Sequence, residues 1–216
     1  MTPDLFACDP HTGAVTPLGP QALVLRGFAL PYVDGLWPAL QGVIAQAPFR
    51  HMVTPGGQRM SVPLTNCGAL GWTSDARGYR YSAHDPDSGR PWPALPAPFL
   101  QLAREAAAAA GFTGFLPDAC LVNRYTPGTR LSLHQDRNER DFSQPIVSVS
   151  LGIAAVFLWG GQKRAERALR VPLAHGDVAV WGGVDRLRFH GVATVQQDVH
   201  PLTGGERINF TFRKAG

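Results

Sequence analysis

"DACLVNRYTPGTRLSLHQD", residues 118–136, holds two short runs of alternating apolar and polar residues, split by the turn residues Thr126-Pro127-Gly128-Thr129. Alternation with a period of two marks a strand with one face buried, and a Pro-Gly pair interrupts strand and helix alike. The same texture continues through "IVSVSL", "AAVFLWG", "ALRVPL", "DVAVWGG", "LRFHGV" and "RINFTFR". Eight short strands with turn residues between them, and no helical segments, point to antiparallel sheets in a sandwich, jelly roll or barrel. The 24 glycines and 19 prolines fit a chain of many turns better than a helical bundle.

Upstream of these strands the period changes. "PYVDGLWPALQGVIAQA" (31–47) brings Val33, Leu36, Trp37, Leu40, Val43, Ile44 and Ala47 to one helical face, with Pro31 in the first turn and Pro38 predicting a kink or a later start. "PFLQLAREAAAAAG" predicts a second helix, stopped by Gly111. Residues 50–97 mix glycine, proline and aromatic residues with little periodicity. Trp72, Tyr79, Tyr81 and Trp92 argue against disorder there, so short strands and a covering loop are expected. The 216 residues, 44% of them apolar, suit one domain.

Cys8, Cys67 and Cys120 are odd in number and far apart, which gives neither a disulfide framework nor a zinc pair and suits a reducing cytoplasm. The N-terminal "MTPDLFACDP" lacks a leader pattern. The longest apolar run, "IVSVSLGIAAVFLW", is broken by serines and glycine and too short for a bilayer, so no membrane partner is expected. A formal net charge of +4 permits an anionic partner, with positives grouped in "QKRAERALR" (162–170) and "DRLRF" (185–189). A solvated charged face produces the same pattern.

"LSLHQD" carries a His-x-Asp pair, and so does His175-x-Asp177. Gly176 between the latter two, just ahead of "VAVWGG", makes that pair a turn entering a strand. In "LSLHQD", alternation puts Leu131, Leu133 and Gln135 on one face and Ser132, His134 and Asp136 on the other, the two polar ligands about 7 Å apart along the strand. Two histidines and a carboxylate on one side of a metal leave open positions, as in non-haem Fe(II) oxygenases. His175, His190 and His200 are candidates for the second histidine. His190 is chosen because "LRFHGV" reads as a strand, whereas Pro201 places His200 in a turn. In "RINFTFR", alternation sets Arg207, Asn209, Thr211 and Arg213 against Ile208, Phe210 and Phe212. If the polar face points inward, its arginines need an anion, such as a dicarboxylate cosubstrate. Asn123 and Tyr125 in "NRY" offer neutral hydrogen-bonding groups to the same ligand. Periodicity alone leaves a solvated face equally open.

Together, "NRY", "LSLHQD", "FHG" and "RINFTFR" resemble the AlkB family of Fe(II)- and 2-oxoglutarate-dependent nucleic-acid dealkylation dioxygenases, and the similarity runs nearly the whole chain, through "PFRHMVTPGGQRMSVPLTNCGALGWT", "PIVSVSLG" and "HGDVAVWGG". The resemblance implies a mainly β fold with flanking helices, a double-stranded β-helix or jelly-roll core. It also implies an N-terminal extension and nucleotide-recognition lid over about residues 1–97, and a catalytic core over about 98–216. It implies Fe(II) on His134, Asp136 and His190, and 2-oxoglutarate on Asn123, Tyr125, Arg207, Asn209 and Arg213, with O2 at the remaining position. The implied reaction is oxidative demethylation of bases such as 1-methyladenine and 3-methylcytosine in single- or double-stranded DNA, with RNA left open. It releases succinate, CO2 and formaldehyde. A monomer is expected. A flipped base would meet Trp72 and Tyr79, with Thr54, Ser132 and Arg164 nearby. Two positions depart from the family pattern: Asn138 stands where an acid is usual, and Gln58 where an aromatic is common in the lid. The competing readings are a catalytically silent nucleic-acid-binding jelly roll with a structural metal, and an oxygenase acting on protein or a small molecule.

Overall fold

The computed structural model describes residues 12–216; Cys8 and the N-terminal stretch read for a leader lie outside the described residues. The strand with the strictest alternation, β13 (Arg207–Arg213), lies within the main sheet and is buried along its whole length. It pairs antiparallel with β8 (Ile146–Gly152) on one side and β6 (Ala119–Tyr125) on the other. Beyond β8 lie β11 (Val178–Trp181), β2 (Ala22–Leu25) and β1 (Val15–Gly19), and beyond β6 lies β3 (Leu64–Gly68). A second sheet runs in the order β10 (Leu169–Leu173), β9 (Ala155–Trp159), β12 (His190–Val192), β7 (Leu131–His134). A separate hairpin joins β4 (Gly71–Asp75) to β5 (Gly78–Ser82).

Each sheet face has its own cover. Ile208, Phe210 and Phe212 join Val147, Val149, Val178 and Val180 under α1 (Val33–Gln46) and α2 (Ala97–Ala109), where Phe99 meets Phe210 edge-on at 4.9 Å. The alternate residues of the same strands look toward the second sheet. There Ile146, Ala179 and Trp181 pack on Phe157, Trp159, Val171 and Leu173. Two sheets with side chains meeting between them, and helices outside one of them, give the expected jelly roll with flanking helices.

α1 begins at Val33 and runs through Pro38, burying Leu36, Leu40 and Val43. Proline is tolerated because Pro38 is exposed and the carbonyl it leaves without a donor, four residues back at Asp34, belongs to an exposed residue that water can reach. α2 buries Phe99, Leu102, Ala103, Ala106 and Ala107, and Gly111 just beyond it takes φ +89°, the left-handed stop the sequence predicted.

The region 50–97 does more than cover. β3, with every residue buried, completes the main sheet, and β1 and β2 extend its other edge, so three of its seven strands come from the stretch read as extension and lid. Asn66 on β3 clamps the hairpin: its side chain donates to the Trp72 carbonyl and accepts from the Trp72 amide, both at 3.0 Å. No described helix is long and apolar enough to cross a membrane.

Candidate metal centre and pocket

The second sheet brings His134 and His190 side by side. His190 pairs with His134 and Val192 with Leu131, so Gly191 alone faces two residues, Ser132 and Leu133. That is a β-bulge. Glycine permits it, since a Cβ at Gly191 would sit 2.6 Å from the Leu131 carbonyl oxygen. The bulge corrects the alternation expected for "LSLHQD". Leu131, His134, Gln135 and Asp136 all line one pocket, whereas Ser132 is exposed and lines an adjoining groove that shares Leu131, Arg164 and Val192 with it. β7 also ends at His134, so Asp136 stands in the following loop rather than two positions along a strand. The side-chain ligand atoms converge there. His134 Nε2 lies 3.7 Å and His190 Nε2 3.6 Å from the Asp136 carboxylate, and the three candidate ligand atoms fall within 4.8 Å of one another.

Backbone carbonyls fix the tautomers. His134 Nδ1 lies 2.9 Å from the Ser132 carbonyl and His190 Nδ1 3.0 Å from the Arg188 carbonyl. A carbonyl only accepts, so each Nδ1 carries a proton and each ring turns its Nε2 into the cluster. Burial, helped by the neighbouring His190, lowers the His134 pKa to about 4. Burial would raise the Asp136 carboxyl, but Arg213 and the two histidines outweigh it and hold it well below its usual range. At neutral pH the donor set is a neutral imidazole at His134, a second imidazole at His190 and a carboxylate, which fits non-haem Fe(II).

The decoy pair behaves as a turn. His175 Nδ1 accepts the Gly152 amide at 3.0 Å and its ring stacks on His200 at 4.2 Å, while Asp177 caps the amides of Gly27 and Ala174 and pairs with Arg26. Neither His175 nor His200 joins the cluster.

Behind the cluster, the polar face of β13 points into a cavity of about 340 Å³. Arg207, 1% exposed, gives one hydrogen bond to Ser150 Oγ at 2.9 Å, and its Nε and Nη1 have no partner; neither has the buried Tyr125 hydroxyl. An unmatched buried guanidinium is costly, so the geometry fits a bound anion there. Asn123 and Asn209 line the same space, with Asn209 held by Ser148 Oγ and the Val149 carbonyl. Arg213 also reaches the cavity, but two of its nitrogens bind Asp136 Oδ2, at 2.6 and 2.9 Å.

At the mouth, Trp72 on β4 and Tyr79 on β5 stack with centroids 5.5 Å apart and planes 16° off parallel. The Trp72 indole N–H donates to Asn138 Oδ1 at 3.3 Å, and Arg164 completes the rim. Thr54 does not reach the pocket. Its hydroxyl accepts the Gln58 amide across a local turn, which keeps both residues at the surface. Glu139 is buried outside the pocket, which leaves the ligand Asp136 as the one acid among the described residues of its lining. Sequence reasoning missed Leu131, Phe157 and Trp181 as lining residues. Alternation in "VAVWGG" could have found Trp181, since Val178 and Val180 face the helices and Ala179 and Trp181 the other way.

The 2OG-Fe(II) oxygenase superfamily model matches residues 25–213. Over 199 residues the chain is 54% identical to the alpha-ketoglutarate-dependent dioxygenase AlkB of Salmonella typhimurium, covering 92% of each. It is 36% identical over 162 residues to the nucleic acid dioxygenase ALKBH1 of Mus musculus, covering 75% of this chain and 39% of that one. Among solved structures, OsALKBH1 superposes with a TM-score of 0.81 at 30% identity, covering 93% of this chain and 99% of the other.

Proposed function

As a member of the 2OG-Fe(II) oxygenase superfamily, among its AlkB relatives, the chain is an Fe(II)- and 2-oxoglutarate-dependent dioxygenase, and we propose that it removes N-linked methyl groups from bases of DNA. The observation that carries the reading is the sequence of layers in one cavity: unpaired Arg207 at the bottom, the His134, Asp136 and His190 donors in the middle, and the stacked Trp72 and Tyr79 at the mouth.

Iron held by His134, Asp136 and His190 supplies, with 2-oxoglutarate and O2, the oxidising power for hydroxylating the methyl carbon. The balance is methylated base, 2-oxoglutarate and O2 in, and unmethylated base, formaldehyde, succinate and CO2 out. Arg207 and the Tyr125 hydroxyl take one carboxylate of 2-oxoglutarate, replacing missing partners by charge-assisted hydrogen bonds. Asn123 and Asn209 flank its path. Arg213 keeps Asp136 ionised and oriented. Trp72 and Tyr79 hold the base, which leaves the stack to reach this depth; stacking on an aromatic face contributes about 1–3 kcal/mol per base. Arg164 meets a phosphate. Three ligands leave positions open for chemistry, against a structural metal site, which closes with four.

The test is formaldehyde and succinate release with Fe(II), 2-oxoglutarate, O2 and oligonucleotides carrying 1-methyladenine or 3-methylcytosine. Equal amounts of both products, dependent on the methyl group, support the reading. Succinate without formaldehyde on every oligonucleotide, DNA or RNA, overturns it in favour of another substrate class.

A further inference from the structure

Among the buried charges outside the ligand set are Arg186, 2% exposed, and Glu139, 6% exposed. The Arg186 guanidinium spends its donors on three points of one loop. Nη1 donates to the Asp136 carbonyl at 2.8 Å, Nη2 to Glu139 at 3.1 Å and Nε to the Gln144 carbonyl at 3.0 Å, with the Phe142 ring 5.4 Å away. One planar fork therefore grips both ends of the loop that carries Asp136. Arg186 also closes the 3₁₀ turn Gly183–Asp185, four residues ahead of His190, so the loop of one ligand is registered against the strand of another.

Glu139 extends the frame to the mouth. Its second oxygen accepts the Tyr81 hydroxyl at 2.7 Å and lies 3.5 Å from Arg213 Nε, while Arg213 holds the Asp136 carboxylate. Tyr81 stands directly opposite Trp72 across the hairpin. Trp72 in turn reaches the same loop a second time, at Asn138. A buried ion pair is a weak source of stability, because apolar residues of equal volume often do as well; what the pair adds here is direction.

We propose that Arg186 and Glu139 are positioning residues that lock the Asp136 loop and the β4–β5 hairpin into one frame, fixing where a base held by Trp72 lies relative to the metal centre. The inference rests on the reading of that hairpin as the base-holding lid. Neither residue touches the pocket, so both act through Asp136, Tyr81 and the backbone.

The experiment compares Glu139→Gln, Arg186→Lys and Tyr81→Phe with the wild type by amide hydrogen exchange without metal, by Mn(II) affinity, and by KM and kcat on a methylated oligonucleotide. In Arg186→Lys, exchange over residues 136–145 rises about tenfold and Mn(II) binds about fivefold more weakly, since lysine cannot make three directed bonds. In Glu139→Gln and Tyr81→Phe, exchange over 71–82 rises about tenfold and KM rises severalfold, with kcat within about twofold. Exchange rising equally over β13 and α2 overturns the proposal in favour of a purely structural pair, and exchange unchanged over both 71–82 and 136–145 overturns it outright. Tyr81→Phe removes one hydroxyl and keeps the packing, so it decides the question if a charge variant fails to fold. Exchange and Mn(II) affinity stand even if no oligonucleotide is turned over, which separates failure of the frame from failure of the substrate assignment.

Discussion

Arg207 shows how far a single residue could be read. Alternation in "RINFTFR" put it opposite three apolar neighbours, and the chemistry of buried charge then asked for an anion. The structure leaves two of its nitrogens unpaired on the cavity side of β13. Arg207→Ala is expected to weaken 2-oxoglutarate binding by about 2–5 kcal/mol, because a carboxylate is left buried without its partner; calorimetry giving an unchanged Kd would remove this role. Asn138 lines the pocket from the loop after β7, with the Trp72 indole N–H at its oxygen. 1-Methyladenine and 3-methylcytosine are cationic near neutral pH, and an amide offers them no charge attraction. Asn138→Asp is expected to raise kcat/KM for 1-methyladenine relative to the neutral 1-methylguanine by about tenfold, and an unchanged ratio would refute the charge argument. Glu139 cannot substitute, since Arg186 and Tyr81 hold it away from the pocket. That sequestering was not legible, because the partners sit 47 and 58 positions away with no motif linking them.

At the scale of elements, period-two patterning found the β-strands from residue 119 onward, period 3.6 found the first helix, and alanine propensity with the Gly111 stop found the second, since each depends on a residue's own neighbours. The β7 bulge was hidden because it is set by the strand across from it. His134 and Asp136 were rightly paired for the wrong reason: a regular strand would have put Ser132 beside them, and the bulge puts Leu131 there instead. β3 was hidden as well. "LTNCG" has no alternation, because both faces are buried. The bulge makes Gly191 a structural requirement of the metal centre. Gly191→Ala places a methyl 2.6 Å from the Leu131 oxygen and 3.2 Å from the Leu133 nitrogen, backbone atoms that cannot swing aside. β7 must then shift away from β12, moving His134 from His190. The expected outcome is an Mn(II) affinity at least about tenfold weaker, with stability reduced by about 1–3 kcal/mol in denaturant unfolding. Full metal affinity in a folded Gly191→Ala protein would mean that the bulge does not set the site.

Across the whole molecule, the pairings that make the jelly roll join distant stretches. β2 meets β11 as Ala22 against Trp181, and β12 meets β9 as His190 against Trp159. No local signal carries such pairs, so the class was legible and the sheet order was not. One consequence of closing the fold this way concerns acid. The turn before β11 buries His175 against His200, and burial first, then the neighbouring ring, lowers the His175 pKa from 6.5 to about 4. Between those values the unfolded chain binds a proton that the folded one refuses, so unfolding is favoured as pH falls. The contribution is intact above about pH 6.5, is lost progressively down to about pH 4, and changes no further below that. His175→Asn keeps an acceptor where Nδ1 meets the Gly152 amide and has nothing to titrate. In the metal-free protein it is expected to make the fall of unfolding free energy between pH 6.5 and 4 shallower, the remainder including the share of His134, measured by urea titration at a series of pH values. Mn(II) affinity at neutral pH should stay within about twofold of wild type, because His175 stands outside the ligand cluster. A slope as steep as wild type would show that the half-buried pair contributes no acid sensitivity, and a collapse of Mn(II) binding would tie this turn to the metal centre.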